Sequence, residues 1–254
     1  MKKALAIIPA RYNSSRLPGK PLMQIGDKPM LQHVYEQVTA SGLFYDTIIA
    51  TDDLRIYDEA QKWFGKVFMT STHHQTGTDR CAEVINTISN NDPEIVVNIQ
   101  GDEPFISAEP LKALLGVLDV NHEAGIATLV QKIDEQGDIR NPNVVKVAKD
   151  INGKALYFSR AAIPHIRDAE KMLSDATYWK HIGLYAFKAE VLREITKLKS
   201  SHLEETESLE QLRWLENGYK IYTAETDYKM LSVDTPEDLN KAQEFYLSQQ
   251  VQKA

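Results

Sequence analysis

A single cysteine, Cys81, in 254 residues rules out an internal disulfide and any metal site built from clustered thiolates. It lies in a helix-like stretch, where a small buried hydrophobe is a simpler role than a nucleophile. No stretch approaches the roughly 20 apolar residues that a membrane helix needs. The N-terminal Met-Lys-Lys precedes only a short apolar run that ends in Pro-Ala-Arg, too brief for a secretory core. A soluble, cytoplasmic protein with no membrane partner is therefore expected. Positive charge is in short supply as well: 29 basic against 36 acidic residues leave a formal charge of −7, the opposite of a nucleic-acid binder's basic excess. Internal repeats and low-complexity tracts are missing. What remains is an ordinary globular composition, 43% hydrophobic and 26% charged. It is long enough for one large α/β domain or a core with a sizeable insertion.

The first half alternates short apolar runs with helical periodicity. An apolar run from Ala4 to Ile8 stops at Pro9, and Pro29 to Ser41 reads as a helix with Leu31, Val34 and Val38 at helical spacing. Thr47–Thr51 reads as a strand, Asp52-Asp53 as a cap for a helix through Trp63, and Lys66–Met69 as a third strand. Thr78 or Asp79 opens another helix, and Glu94–Ile99 is a β-branched, buried strand. Strands and helices in steps of about 20 residues predict a Rossmann-like, mostly parallel sheet with helices on both faces. After about residue 124 the rhythm changes. Ile126–Gln131, Val144–Lys149 and Lys154–Phe158 are strand-like pieces joined by Gly/Asn/Asp turns, and predict a smaller antiparallel section. Arg160–Thr177 is polar and irregular, His181–Phe187 returns as a strand, and Glu204–Glu216 reads as one helix with Ser201 and Glu204 as its capping box. Thr235-Pro236 opens the last helix, with Ser248–Ala254 expected to fray. The expected division is a core of 1–124 with 188–254, and an antiparallel section of 125–187.

Chemistry concentrates in a few places. The loop after the first strand carries Arg11, Arg16 and Lys20 with two serines and a Pro-Gly turn, and no carboxylate before Asp27. A buried strand that ends in such a cationic loop is how α/β folds hold phosphate. It is not a P-loop, because Ser14 and Pro21 stand where that pattern needs a glycine and a Ser or Thr. A solvated surface loop is the bland alternative for the loop alone, since short motifs match by chance. The strand at 94–99 ends in Gln100-Gly-Asp-Glu103, beyond a strand's carboxyl end where open α/β sheets bind ligands. Asp102 is a hard oxygen ligand of the kind Mg²⁺ takes, or else a helix cap, and Gly101 permits close backbone approach. Asp234 is not needed to cap the last helix and is a candidate second carboxylate on the same metal. Gly77-Thr-Asp-Arg80 suits a base or ribose, or simply starts a helix. Arg160, His181, Tyr185, Glu210 and Gln211 are each, singly, as well explained by packing or by a solvated face.

Taken together these residues resemble a family. Ile8-Pro-Ala-Arg-Tyr-Asn-Ser-Ser-Arg-Leu-Pro-Gly-Lys-Pro21 is similar to the signature of sugar nucleotidyltransferases, shared with CMP-sialic acid synthetases. The blocks Gly77–Arg80, Val97–Pro104, Ala155–Arg160, His181–Tyr185, Leu209–Arg213 and Val233–Asp238 resemble the cytidylyltransferases that activate 3-deoxy-manno-octulosonate (Kdo) for lipopolysaccharide assembly. The resemblance runs from about Ala4 to Leu239. It implies a nucleotide-diphospho-sugar transferase fold, CTP and Kdo as substrates, Mg²⁺ as cofactor and a homodimer. It implies that Arg11 and Lys20 hold the triphosphate, with Arg16 near phosphates and sugar. Asp102 and Asp234 would bind Mg²⁺. Arg80 would contact the nucleotide, Gln100 would bridge nucleotide and sugar, and Arg160, His181, Tyr185, Glu210 and Gln211 would line the sugar-acid pocket.

Other readings stay open. The segment Asp168–Thr177 matches no block of the family, so a related sugar acid, 8-amino-Kdo or sialic acid, competes with Kdo. A non-catalytic nucleotide-binding protein on the same fold is the rival of another class. The joint presence of Lys20, Asp102 and Asp234 speaks for the catalyst.

Overall fold

The computed structural model describes residues 3–13, 17–88, 92–167 and 177–253. The chain forms two compact units, Met1–Ala108 with Lys229–Ala254, and Glu109–Tyr228.

In the first unit the apolar run becomes strand β1 (Ala4–Ala10), and Leu5, Ala6, Ile7 and Ile8 are wholly buried. A short hairpin, β2 (Gln24–Ile25) and β3 (Lys28–Pro29), leads into helix α1 (Met30–Ala40). Then follow β4 (Asp46–Thr51), α2 (Leu54–Lys62), β5 (Val67–Met69), α3 (Gly77–Thr87) and β6 (Ile95–Asn98). The unit closes with a C-terminal helix, Pro236–Lys253. The strands stand in the order β6, β1, β4, β5, all parallel, with Ile7 opposite both Ile48 and Asn98. β-branched residues favour this buried ladder, and each fully buried aliphatic side chain contributes about 1.5–3 kcal/mol of transfer free energy. Leu31, Val34 and Val38 of α1 and Val84 and Ile85 of α3 supply the helical side of the core. Cys81 is buried among them, as a small hydrophobe.

The second unit holds most of α4 (Ala108–Val120), then β7 (Ile126–Lys132), α5 (Gln136–Arg140), β8 (Lys146–Lys149), β9 (Ala155–Ser159) and β10 (Trp179–Lys188). Helices α6 (Ala189–Ile195), α7 (His202–Glu207) and α8 (Gln211–Glu216) precede β11 (Ile221–Glu225). β10 runs antiparallel to β7 and β8, and β8 antiparallel to β9. The unit is larger than the stretch 125–187 singled out by strand rhythm, for two reasons. β11 pairs parallel with β7, and Trp214 of α8 packs edge-on against Tyr185 and Phe187 of β10.

The chain departs from sequence expectation in three places. Strand β1 does not stop at Pro9 but runs through it to Ala10. The Ile7 carbonyl accepts from Ile99 N–H, so odd positions of β1 face β6, and Pro9 falls after the last registered pair, where no donor is required. The single helix expected over 204–216 is two helices, broken where Ser208 takes a left-handed φ of 52°. The Ser201–Glu204 capping box is formed as expected. Finally, 248–253 does not fray but continues the C-terminal helix. Among the described residues no helix is long and apolar enough to cross a membrane.

Candidate active site

The first unit contains a cavity of about 490 Å³ at the carboxyl ends of β1 and β6. Its wall is built from four segments far apart in sequence, one of them the start of α3 with Gly77 and Arg80. Of the other three, the first is the loop leaving β1, which contributes Arg11, Asn13, Lys20 and Pro21. Gly19 N–H donates to the Tyr12 carbonyl (2.9 Å) and closes this loop, and Gly19 sits at φ 71°, where a residue with a Cβ is strained. A 3₁₀ turn, Lys20–Leu22, follows at once and presents the lysine. The Arg55 guanidinium lies 3.3 Å over the Tyr12 ring and is itself held by Asp53, the N-cap of α2, through bonds of 2.8 and 2.6 Å.

The second segment is Gln100-Gly101-Asp102, just beyond β6. A Cβ at Gly101 would stand 3.1 Å from the Pro9 carbonyl oxygen. The backbone of β1 thus leaves little room for a side chain at Gly101, which also lines the cavity. The third segment is Asp234. Thr235 and Asp238 cap the C-terminal helix reciprocally: Asp238 N–H donates to Thr235 Oγ1 (3.2 Å) and Thr235 N–H to Asp238 Oδ2 (3.2 Å). Asp234 is thereby excused from capping.

Those three segments converge on Lys20. Its Nζ donates to Asp102 Oδ2 at 2.6 Å and to Asp234 Oδ1 at 3.1 Å, with only 16% of the lysine side chain exposed. Burial is the largest single influence on the ammonium and pulls its pKa down. Asp102 and then Asp234 together overcome it and hold the group above its ordinary value. The lysine is therefore a fixed positive charge at neutral pH. Two carboxylate oxygens that converge on one cation are also the donor set Mg²⁺ uses, with phosphate and water completing its shell. Beside them Glu103 is almost wholly buried. Burial pushes its carboxyl up to about 8, the Ser232 hydroxyl it accepts from pulls it down, and the charges of Asp102 and Asp234 add to the rise.

Arg11 is exposed on the cavity wall and donates to the Gln75 carbonyl at 3.2 Å. Gln100 and Gly77 line the same cavity. Arg80 does too, but its guanidinium is almost wholly buried and bonded to Asp52 (2.5 Å), Thr70 (2.6 Å) and the Ser71 carbonyl (3.2 Å). Only its Nε finds no partner among the described residues. Arg16 lies outside the described residues.

The remaining candidates all belong to the second unit. Arg160 is fixed by backbone oxygens of Glu207 (2.7 Å), Pro142 (2.9 Å) and Ser208 (3.3 Å). A guanidinium has five N–H groups, so both terminal nitrogens keep capacity for a carboxylate. His181 packs between Phe158 and Tyr185, with Nε2 2.9 Å from Thr128 Oγ1. The one hydroxyl proton of Thr128 is claimed by a carbonyl, Leu184 at 2.8 Å, so the imidazole Nε2–H is the donor and Nδ1 is the acceptor. Burial pulls the His181 pKa down to about 3, which keeps the ring neutral. Burial, and then the charge of Glu210, push the Tyr185 phenol well above its ordinary value. Tyr185 Oη and Gln211 Nε2 are buried polar atoms with no partner among the described residues, as expected of groups built to meet a polar ligand. Glu210 and Gln211 stand at the start of α8.

Sequence reasoning missed the Glu103–Ser232 bond, the Arg55–Tyr12 stack and the buried Lys146, whose Nζ is bonded to the Asn141 and Val144 carbonyls. Glu103 adjoins Asp102 in sequence, which was the one available signal. The others join positions that no local pattern connects.

Comparison with known proteins places this geometry. A family model described as Cytidylyltransferase matches residues 5–221. A 3-deoxy-manno-octulosonate cytidylyltransferase of Cytophaga hutchinsonii is 48% identical over 238 residues, 92% of this chain and 94% of that protein. One of Bacteroides thetaiotaomicron is 50% identical over 248 residues, 96% of this chain and 98% of that protein. A solved CMP:2-keto-3-deoxy-manno-octonic acid synthetase complexed with CTP superposes with a TM-score of 0.90 at 41% identity, covering 97% of this chain and 99% of that one. The chain belongs to the cytidylyltransferase family, among the 3-deoxy-manno-octulosonate cytidylyltransferases.

Proposed function

We propose that this chain is a Mg²⁺-dependent enzyme that transfers the cytidylyl group of CTP to Kdo, giving CMP-Kdo and pyrophosphate for lipopolysaccharide assembly. The observation that carries this reading is the placement of Lys20 between Asp102 and Asp234 in the cavity at the strand ends. In the reaction the anomeric C2 hydroxyl oxygen of the sugar forms a bond to the α-phosphorus. The bond from that phosphorus to the oxygen bridging to the β-phosphate breaks, pyrophosphate leaves with the electron pair, and the hydroxyl proton passes to solvent. Such a displacement needs positioning and charge neutralisation more than covalent help.

The residues divide that work. Arg11 and Lys20 receive the triphosphate, with Arg16 near its phosphates, and the ammonium of Lys20 neutralises charge that grows on the α-phosphate. Asp102 and Asp234 hold Mg²⁺, which when bound supplies Lewis-acid neutralisation of phosphate oxygens. Arg80 and the turn at Gly77 border the nucleotide, and Gln100 bridges toward the sugar. Arg160 grips the sugar carboxylate through its terminal nitrogens. His181, Tyr185, Glu210 and Gln211 meet the sugar hydroxyls, and the partnerless Tyr185 Oη and Gln211 Nε2 support that assignment. The same reading makes the enzyme cytoplasmic and a homodimer, and light scattering on the purified chain tests the oligomeric state.

Incubation with CTP, Mg²⁺ and Kdo, followed by product identification by ³¹P NMR, tests the reaction. CMP-Kdo and pyrophosphate in equal amounts are expected. Turnover with sialic acid or 8-amino-Kdo but none with Kdo would reassign the substrate, and binding of CTP without turnover of any sugar acid would favour the non-catalytic rival.

A further inference from the structure

Asp102 and Asp234 stand on segments that meet at two points. Val233 N–H donates to the Asp102 carbonyl at 3.0 Å. One residue further along each segment, the Ser232 hydroxyl donates to Glu103 Oε1, across 129 positions of sequence. A single backbone bond would leave the two segments able to pivot about it. The second bond removes that freedom, and it does so between the immediate neighbour of one carboxylate and a residue two positions from the other. The surroundings are apolar and tightly packed. Val233 belongs to a buried cluster with Leu17, Ile25, Met30 and Ala242, against which Leu231 and Phe105 pack from the two segments.

Glu103 is only 5% exposed. Burying a carboxyl in such a place costs free energy that an apolar side chain would not, unless the group makes a bond that matters. If Glu103 served only to fill the core, Leu or Met would serve better. Its carboxyl accepts from Ser232, on the other carboxylate-bearing segment.

We propose that Glu103 and Ser232 form a positioning pair that fixes the spacing of the Asp102 and Asp234 carboxylates. This rests on the reading of those two carboxylates as the metal holders. Neither member of the pair touches substrate; both act through their neighbours. Loss of a partner that orients metal-holding carboxylates typically lowers metal affinity or activity about 10- to 100-fold.

The test is titration of the full-length chain with Mn²⁺, read by electron paramagnetic resonance with and without CTP, alongside the Mg²⁺ dependence of turnover. Ser232→Ala is expected to weaken Mn²⁺ binding and raise the half-saturating Mg²⁺ concentration by roughly tenfold or more. Ser232→Thr, which keeps the hydroxyl, and Glu103→Gln, whose amide oxygen accepts the same proton, are expected to stay within about threefold of wild type on the same scale. Should Ser232→Ala fail to fold, Ser232→Cys carries the same expectation, because a thiol of similar size donates only weakly. Unchanged Mn²⁺ affinity and Mg²⁺ dependence in Ser232→Ala would overturn the proposal, even with a lower melting temperature, since that is what a purely structural bond predicts. Asp102→Asn is the control: if it leaves Mn²⁺ binding intact, the metal assignment itself fails and takes the proposal with it.

Discussion

Replacing Lys20 by methionine keeps the length of the side chain and removes its charge, and two separable effects follow from the geometry. The first concerns stability. Without the ammonium, Asp102 and Asp234 lose their shared counter-charge, held at 2.6 and 3.1 Å. Exposed ion pairs contribute about 0–1 kcal/mol, whereas breaking a buried one costs about 3–5. With 16% of Lys20, 23% of Asp102 and 38% of Asp234 still exposed, solvent screening brings the expected loss between those limits. A loss of about 2 kcal/mol lowers the melting midpoint of a chain this size by about 4–8 °C. Added Mg²⁺ should restore much of it, since saturation to 100 times Kd contributes about 2.7 kcal/mol. The second effect concerns rate. Removing a preorganised charge aimed at the reacting phosphate costs about 10²–10³ in kcat, and Mg²⁺ should not restore it. Differential scanning fluorimetry with and without Mg²⁺, together with pyrophosphate release from CTP and Kdo, measures both. A Lys20→Met enzyme within about threefold of wild-type kcat, set against that expectation, would refute the catalytic role. A midpoint unchanged in the absence of Mg²⁺ would refute the electrostatic account of the triad.

Asp102→Asn and Asp234→Asn should each lower turnover about 10²–10³-fold and abolish stabilisation by Mg²⁺ in melting experiments; full activity of either would remove that residue from the metal site. His181 is held at about 3 in the fold by burial, whereas an unfolded histidine titrates near 6.5. The unfolded chain therefore binds more protons between those pH values, and stability must fall as pH drops through that window, by at most about 1.4 kcal/mol per unit. His181→Gln should flatten the denaturation midpoint against pH over that range, and an unaltered slope would show that the ring is not the group responsible. Arg55→Ala takes the guanidinium off the Tyr12 ring. A stack of this kind is worth about 0.5–1 kcal/mol at an exposed site, so the KM for CTP should rise about two- to fivefold with kcat little changed; an unmoved KM would mean that the loop keeps its shape without it.

The order of strands and helices in the first unit was legible because each element carries its own periodicity and cap, such as Asp53, whose carboxylate accepts from Arg55 N–H at 2.9 Å. The features that escaped are the ones decided by distant contacts. The helix expected over 204–216 opens at Ser208 because the Glu207 carboxylate is drawn to Ser159 Oγ (2.6 Å) and Arg160 N–H (2.9 Å), and the Glu207 and Ser208 carbonyls accept from the Arg160 side chain. Nothing within the helix announces that competition. Thr76, not Thr78 or Asp79, caps α3, with Asp79 completing its capping box, a pattern that was present in the sequence and passed over. In the site, Lys20, Asp102 and Asp234 were legible as chemical types at strand ends, but their convergence on one point spans 214 positions of sequence. Arg80 shows another limit: its residue type suggested a place at the cavity, which it does line, but no local pattern announced that its guanidinium is also bonded to Asp52, Thr70 and Ser71.

The most direct test of the central claim is a crystal structure of the full-length chain with CTP and Mg²⁺. The triphosphate should lie in the cavity lined by Arg11, Lys20, Asp102 and Asp234, with Mg²⁺ on the two carboxylates and Lys20 turned to phosphate oxygen. A triphosphate bound elsewhere, or bound there with the metal on neither carboxylate, would contradict the account.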